Sequence, residues 1–239
     1  IMVAGQITDS GSASGSDELN EISSKRFVTI GISDVAGDDV VLKAEEDAGF
    51  TVSGTSDQTS ATITVVYSDL TNTATDTCQS HASTGAGSCN FQSGAGAGGN
   101  MASVNDGSIK VTATVTVGGS DTVATSWVEQ DTSVPTMTIT ASQGADGFTS
   151  DDSTLSLTFT SSEATSNFAV GDISVAGGSL SSFSSSSTTV YTATFTATAD
   201  GATTIDVAAG GFSDAPGNTN SAATQFNWVQ DDTGPTMTI

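Results

Sequence analysis

The stretch Asp131-Thr132-Ser133-Val134-Pro135-Thr136-Met137-Thr138-Ile139 returns near the end of the chain as Asp232-Thr233-Gly234-Pro235-Thr236-Met237-Thr238-Ile239. The two prolines lie 100 residues apart, and each copy follows a Trp-Val pair, Trp127-Val128 and Trp228-Val229. Self-similarity at a fixed spacing marks a tandem array. A period of about 100 residues is the size of one immunoglobulin-like sandwich. The second copy opens a strand as the sequence stops, so a further domain is expected to follow.

Between the prolines the side chains alternate. Leu155, Leu157 and Phe159 interleave with Ser156, Thr158 and Thr160, and Tyr191, Ala193 and Phe195 with Thr192, Thr194 and Thr196. Ile205 with Val207, and Phe226 with Trp228, keep the period of two that marks half-buried strands. Turn clusters separate them, at Gln143-Gly144-Ala145-Asp146-Gly147, Ala176-Gly177-Gly178, Ala199-Asp200-Gly201 and Asp214-Ala215-Pro216-Gly217-Asn218. Short strands at this density predict an all-β sandwich.

The preceding part reads the same way, less regularly. Val28, Ile30 and Ile32 alternate, as do Phe50 with Val52, and Ile63, Val65 and Tyr67. The longest strand signal runs from Ile109 to Val117, and a Gly118-Gly119-Ser120-Asp121 turn leads into Val123 to Val128, a hairpin by residue chemistry. Residues 71–105 read as a looser insertion ending in a Gly-rich run. The best helical candidate, Val40 to Ala48, is too short to stand alone. Residues 1–26 combine a candidate strand, Met2 to Thr8, with a Ser/Gly linker. They read as the tail of a preceding element, or as a strand that pairs with a neighbour. The expected architecture is all-β, two tandem immunoglobulin-like sandwiches: residues 27–130 with the 71–105 insertion, then 131–231, with 232–239 starting a following repeat.

The 239 residues carry 27 acidic and four basic side chains, a formal charge of −23. Nucleic acid is excluded as a partner, because affinity for it comes from Lys and Arg neutralising phosphates. Anionic membrane surfaces are excluded likewise, and no apolar run reaches the ~18 residues needed for membrane insertion. Only 13% of residues are charged and 36% are hydrophobic, which permits real cores. The start, Ile1-Met2-Val3-Ala4-Gly5, lacks a basic n-region and a long apolar stretch. The chain reads as a soluble, extracellular piece of a longer polypeptide whose natural counter-ions are metal cations.

Several motifs in order resemble bacterial Ig-like repeats of large secreted adhesins and biofilm-associated surface proteins. They are Phe168-Ala169-Val170-Gly171-Asp172-Ile173, Gly177-Gly178-Ser179-Leu180, Tyr191 to Thr196, Ala199-Asp200-Gly201 and Phe212-Ser213-Asp214-Ala215-Pro216-Gly217-Asn218, closed by the Asp-Thr-Gly-Pro-Thr linker. The first domain is similar to a sister repeat type through Asp38 to Glu46 and Phe50 to Thr55. The resemblance implies a structural, array-forming role, often with calcium between domains, and names no ligand.

Calcium is a hard cation that takes six to eight oxygens from carboxylates, amides and carbonyls. In a tandem sandwich the linker carboxylates lie beside loops of the following domain. That predicts a junction site from Glu129, Asp131, Glu163, Asp214 and Asn218, with Asp231 and Asp232 serving the next junction. Asp38, Asp39, Glu45, Glu46 and Asp47 form a second acidic cluster, a candidate site or a charged loop. No Asp-x-Asp-x-Asp-Gly loop is present.

Cys78 and Cys89 are the only cysteines, and an even count in an extracellular-looking chain predicts a disulfide. A metal site with His81 falls short of four ligands. One histidine, no Gly-x-Ser-x-Gly elbow and no phosphate loop leave no basis for an enzyme. Trp127 and Trp228 read as core at equivalent repeat positions. The expected function is a spacer of an extracellular adhesin or surface filament, stiffened by calcium and touching neighbouring repeats or copies of the same protein, with an unknown distal ligand. The alternatives are a polymerising subunit of a filament or sheath, and a carbohydrate-binding module.

Overall fold

A computed structural model describes residues 29–92, 99–101 and 103–238. The strand-and-linker expectation for residues 1–26 lies outside them. The alternating segments form seventeen strands. Those before the linker are β1 (Ile30–Val35), β2 (Val40–Leu42), β3 (Phe50–Ser56), β4 (Thr62–Ser68), β5 (Thr73–Gln79), β6 (Ala86–Gln92), β7 (Gly99–Asn100), β8 (Gly107–Val117) and β9 (Ser120–Asp131). Those after it are β10 (Met137–Ala141), β11 (Phe148–Ser150), β12 (Thr154–Ser161), β13 (Ile173–Ala176), β14 (Gly178–Ser185), β15 (Val190–Ala197), β16 (Gly201–Val207) and β17 (Phe226–Gln230).

Pairing never crosses the linker. Before it, one sheet has the order β1-β3-β6-β7 and faces a second, β2-β9-β8-β4-β5. After it, β10-β12-β15-β14 faces β11-β17-β16-β13. This last pair of sheets is the constant-type immunoglobulin arrangement, with a short extra strand, β11, running parallel to β17. In the first sandwich β2 plays the same part, parallel to β9.

Two separate cores result. The first gathers Phe50, Tyr67 and Phe91, whose ring centroids lie 5.4 to 5.8 Å apart, with Val35, Ile109 and Val111. The second is built on Phe159, Phe168, Phe195, Phe212 and Trp228, with Leu155, Leu157 and Ile205. Period-two alternation dictates both, since the central strands, among them β4, β8, β12 and β15, bury every second residue. The predicted hairpin joins β8 to β9 through Gly118 and Gly119, at φ +59° and +80°. Positive φ at both central residues is the twist-matching turn that glycine permits.

Four local expectations change. The described part of residues 71–105 is not a loose insertion: it supplies β5 and β6, which belong to opposite sheets, and the Cys78–Cys89 disulfide ties those sheets together with a Cα separation of 5.2 Å. Most of the Gly-rich run lies outside the described residues. The helical candidate divides into β2 and a six-residue helix α1 (Lys43–Ala48), capped where Glu45 accepts the Leu42 N–H at 3.0 Å. The second acidic cluster does not converge. Asp38 and Asp39 accept the Val40 and Val35 N–H groups, and Glu46 and Asp47 pair with Lys43.

Trp127 is the fourth. It is 55% exposed on the outer face of β9, whereas Trp228 is fully buried and donates its indole N–H to Ser150 Oγ at 3.1 Å. Gly107 pairs with Gln130, and Gly201 with Gln230. The structural counterpart of Trp228 is therefore Val128, one residue after Trp127. A slip of one residue along a strand reverses which face a side chain occupies.

Candidate metal centre at the domain junction

Three predicted residues meet where the sandwiches join. Asp131 ends β9, Glu163 lies in the loop between β12 and β13, and Asp214 lies in the loop between β16 and β17. One carboxylate oxygen from each lies within 4.8 Å of the others. Two domains thus supply one acidic group, and it is the only such group of metal-ligating side chains among the described residues.

Local hydrogen bonds fix the carboxylates. Asp214 is 2% exposed; its Oδ1 accepts the N–H groups of Gly217 at 2.7 Å and Asn218 at 2.8 Å. Asp131 Oδ1 accepts the Ser133 N–H at 3.0 Å, the Asx turn that Asp favours on leaving a strand. Partial burial pushes the Asp131 carboxyl above its ordinary range, and the charges of Asp214 and Asp106 add to this. Glu163 is raised in the same way, by burial first and then by Asp214, Asp131 and Asp106. The ion pairs among the described residues belong to Lys43 with Glu46 and Asp47, so none of the described side-chain cations pairs with this group.

Asn218 stands beside the group in a different role. Its Oδ1 accepts the backbone N–H of Lys43 at 2.9 Å, and its Nδ2 donates to the Asp131 carbonyl at 2.9 Å and to Asp214 Oδ2 at 3.0 Å. One buried carboxamide therefore pins the Asp214–Asn218 loop to both β9 and the start of α1. Glu129 lies apart, on the exposed face of β9, where it accepts the Ser108 hydroxyl at 2.6 Å. Asp231 and Asp232 lie at the opposite end of the second sandwich, next to Asp200.

Asp106 was not among the predicted residues. It accepts Thr132 N–H and Oγ1 at 2.8 Å each, and Ser133 Oγ at 3.0 Å, which brings a fourth negative charge to the junction. The signal was present: an Asp-Gly pair opens the long hairpin strand at Asp106-Gly107, and another opens β16 at Asp200-Gly201. The donor set is made of hard oxygens, without sulfur or imidazole, and among the described residues no hydrogen bond reaches the Glu163 carboxylate. That chemistry fits a hard divalent cation such as calcium and does not fit zinc.

Two facing antiparallel sheets with a core between them, an edge strand parallel to the last strand, and loops gathered at the junction define an immunoglobulin-like domain pair. Residues 131–230, the second sandwich, match the family model described as a bacterial Ig-like domain. The family is non-enzymatic. Among solved structures, the chain is similar to a Ca2+-stabilized adhesin with which an Antarctic bacterium reaches out and binds ice, at 19% identity and a TM-score of 0.41 over 84% of this chain and 48% of that one. It is also similar to a 1.5-MDa bacterial ice-binding adhesin (16%, TM-score 0.41, 85% of this chain and 64% of that one). A third similar structure is invasin, a bacterial integrin-binding protein (15%, TM-score 0.32, 86% and 40%). The chain thus spans between 40% and 64% of the length of these structures. No curated protein matches it by sequence. No helix among the described residues is long and apolar enough to cross a membrane.

Proposed function

We propose that this chain is a pair of spacer domains from an extracellular bacterial adhesin or surface filament, and that calcium at the joint limits bending. The observation that carries this reading is the convergence of Asp131, Glu163 and Asp214 from two domains, with no side-chain cation among the described residues paired to them. Asp131, Glu163 and Asp214 would hold the ion, while Glu129 stands apart on β9 and Asn218 turns its amide N–H groups toward them; Asp231 and Asp232 would serve the next junction. A bound calcium supplies charge that turns repulsion between the domains into attraction. Asn218 supports the same end without the ion, because its carboxamide already bridges the domains. The partners of such a spacer are neighbouring domains of its own kind, and its place is outside the cell.

The test is small-angle scattering and calcium titration calorimetry on this chain, in calcium and then in excess EDTA. The expected result is saturable calcium binding and a rod that becomes more flexible in EDTA. Glu163→Gln, which disturbs no hydrogen bond, is expected to weaken calcium binding at least tenfold. No binding heat together with a scattering curve indifferent to EDTA overturns the reading. Particles much longer than two domains point instead to a polymerising subunit.

A further inference from the structure

The junction contains a device that recurs where no second domain is described. At the first exit, Gln130 is buried and pairs with Gly107, whose φ is +125°. The preceding Asp106 accepts the N–H of Thr132 on Oδ1 and the hydroxyl of Ser133 on Oδ2, while Asp131 Oδ1 accepts the Ser133 N–H. At the second exit, Gln230 is buried and pairs with Gly201, whose φ is +136°. The preceding Asp200 accepts the N–H of Asp232 on Oδ1 at 3.1 Å and the hydroxyl of Thr233 on Oδ2 at 2.7 Å, and Asp231 Oδ1 accepts the Thr233 N–H at 3.1 Å. The same three bonds run between corresponding atoms. Both glycines hold a positive φ that L side chains rarely adopt.

This correspondence aligns Asp131 with Asp231, whereas the repeated Asp-Thr dipeptide aligns it with Asp232. It also identifies Asp106, which lies outside the predicted ligand set, as the group that holds the linker. We propose that Asp106 and Asp200 are positioning residues, clasps by which each sandwich fixes the first three residues leaving it and so sets the direction in which the next domain is presented. The clasp at Asp200 is made entirely between the second sandwich and its own exit segment. Three consecutive residues that would otherwise be a flexible Ser/Thr linker are ordered by the domain just finished, and Asp131 and Asp231 are each held at a defined place as a result. Asp200 is held below the ordinary carboxylate range by the bonds from Thr233 and Asp232, in agreement with a formed clasp in an exposed setting.

The clasp itself stands on hydrogen bonds alone; only its consequence for calcium rests on the function proposed above. Removing Asp106 would also remove a charge, so the test loosens the clasp without changing charge, in the double variant Thr132→Val, Ser133→Ala, which removes both hydroxyl bonds to Asp106 and keeps the two backbone N–H bonds. Spin labels on β4 and β15 read the distribution of distances between the domains in EDTA. The variant is expected to broaden that distribution while the unfolding temperature of each domain stays as in the parent. Calcium binding is expected to weaken about 30-fold, the effect of losing two hydrogen bonds of ordinary net strength. At the second exit, backbone order parameters for residues 231–233 are expected to match those of a strand, about 0.85, and to fall below about 0.6 in Asp200→Ala. An unchanged distance distribution, or order parameters already low in the parent, overturns the clasp. If the parent binds no calcium, the calcium reading fails, and the EDTA distances still decide the clasp.

Discussion

Substituting Lys43 by proline tests the direct bond between the domains. Lys43 is the first residue of α1, a position where proline's missing N–H and fixed φ are tolerated. Leu42 before it is extended, at φ −94° and ψ 165°, which suits a residue preceding proline. The helix should therefore survive. What is lost is the 2.9 Å bond to Asn218 Oδ1, and the proline ring carbon takes the place of the proton. The bond is worth about 1 kcal/mol net, and leaving the oxygen of the buried Asn218 without this donor costs about 1–3 kcal/mol. Stiffening of the unfolded chain by proline returns about 0.4–1 kcal/mol, but to the first domain alone. The balance is about 2 kcal/mol of lost docking, or roughly a 30-fold shift toward undocked domains. Lys43→Ala is the control, since it removes the same side chain and its surface ion pairs but keeps the N–H. Spin-label distances across the joint in EDTA should separate the two variants, with proline broad and alanine like the parent. Coincident distributions would refute the pin.

Acidification should act on the joint in a direction set by the raised carboxyls of Asp131 and Glu163. The folded state holds protons there more tightly than the unfolded chain, so without calcium its stability falls as pH rises from the ordinary carboxylate range through the raised folded values. Calorimetry in EDTA should show this pair contributing more stability near the ordinary carboxylate range, about pH 4, than at pH 7, and calcium should reverse the trend because it needs ionised ligands. Reduction of Cys78–Cys89 is expected to destabilise the first domain by about 3 kcal/mol and leave the second unchanged, read as two separating melting transitions. The two tryptophans should differ sharply. Trp127→Ser is expected to stay within about 0.5 kcal/mol of the parent, whereas Trp228→Ala should cost about 3–5 kcal/mol in the second domain; iodide should quench Trp127 and spare Trp228.

The fold was legible because period-two alternation and turn chemistry act locally, and both cores contain the alternating residues that the sequence displays. The convergence of Asp131, Glu163 and Asp214 was legible from loop order in a sandwich. Register was not. The prolines repeat at 100 residues but the Trp-Val pairs at 101, and that single residue decides whether an indole is buried. The clasps escaped for a related reason: 24 residues separate Asp106 from Gln130 and 30 separate Asp200 from Gln230, so no fixed period links them. The role of Asn218 depends on a backbone N–H 175 positions away, which no side-chain pattern announces.

The short parallel pairings, Val40–Leu42 on Glu129–Asp131 and Phe148–Ser150 on Trp228–Gln230, have a mechanical consequence. A strand near each domain's entrance lies alongside the strand that leaves it, and both point the same way. Tension along the chain pulls such a pair in opposite directions along their own axes. The hydrogen bonds between them are then loaded in shear and must yield together, whereas an antiparallel hairpin pulled from its open end would unzip one bond at a time. The Cys78–Cys89 bridge lies between other strands, away from this load path, so reducing it should lower the first domain's thermal stability far more than the force at which it opens.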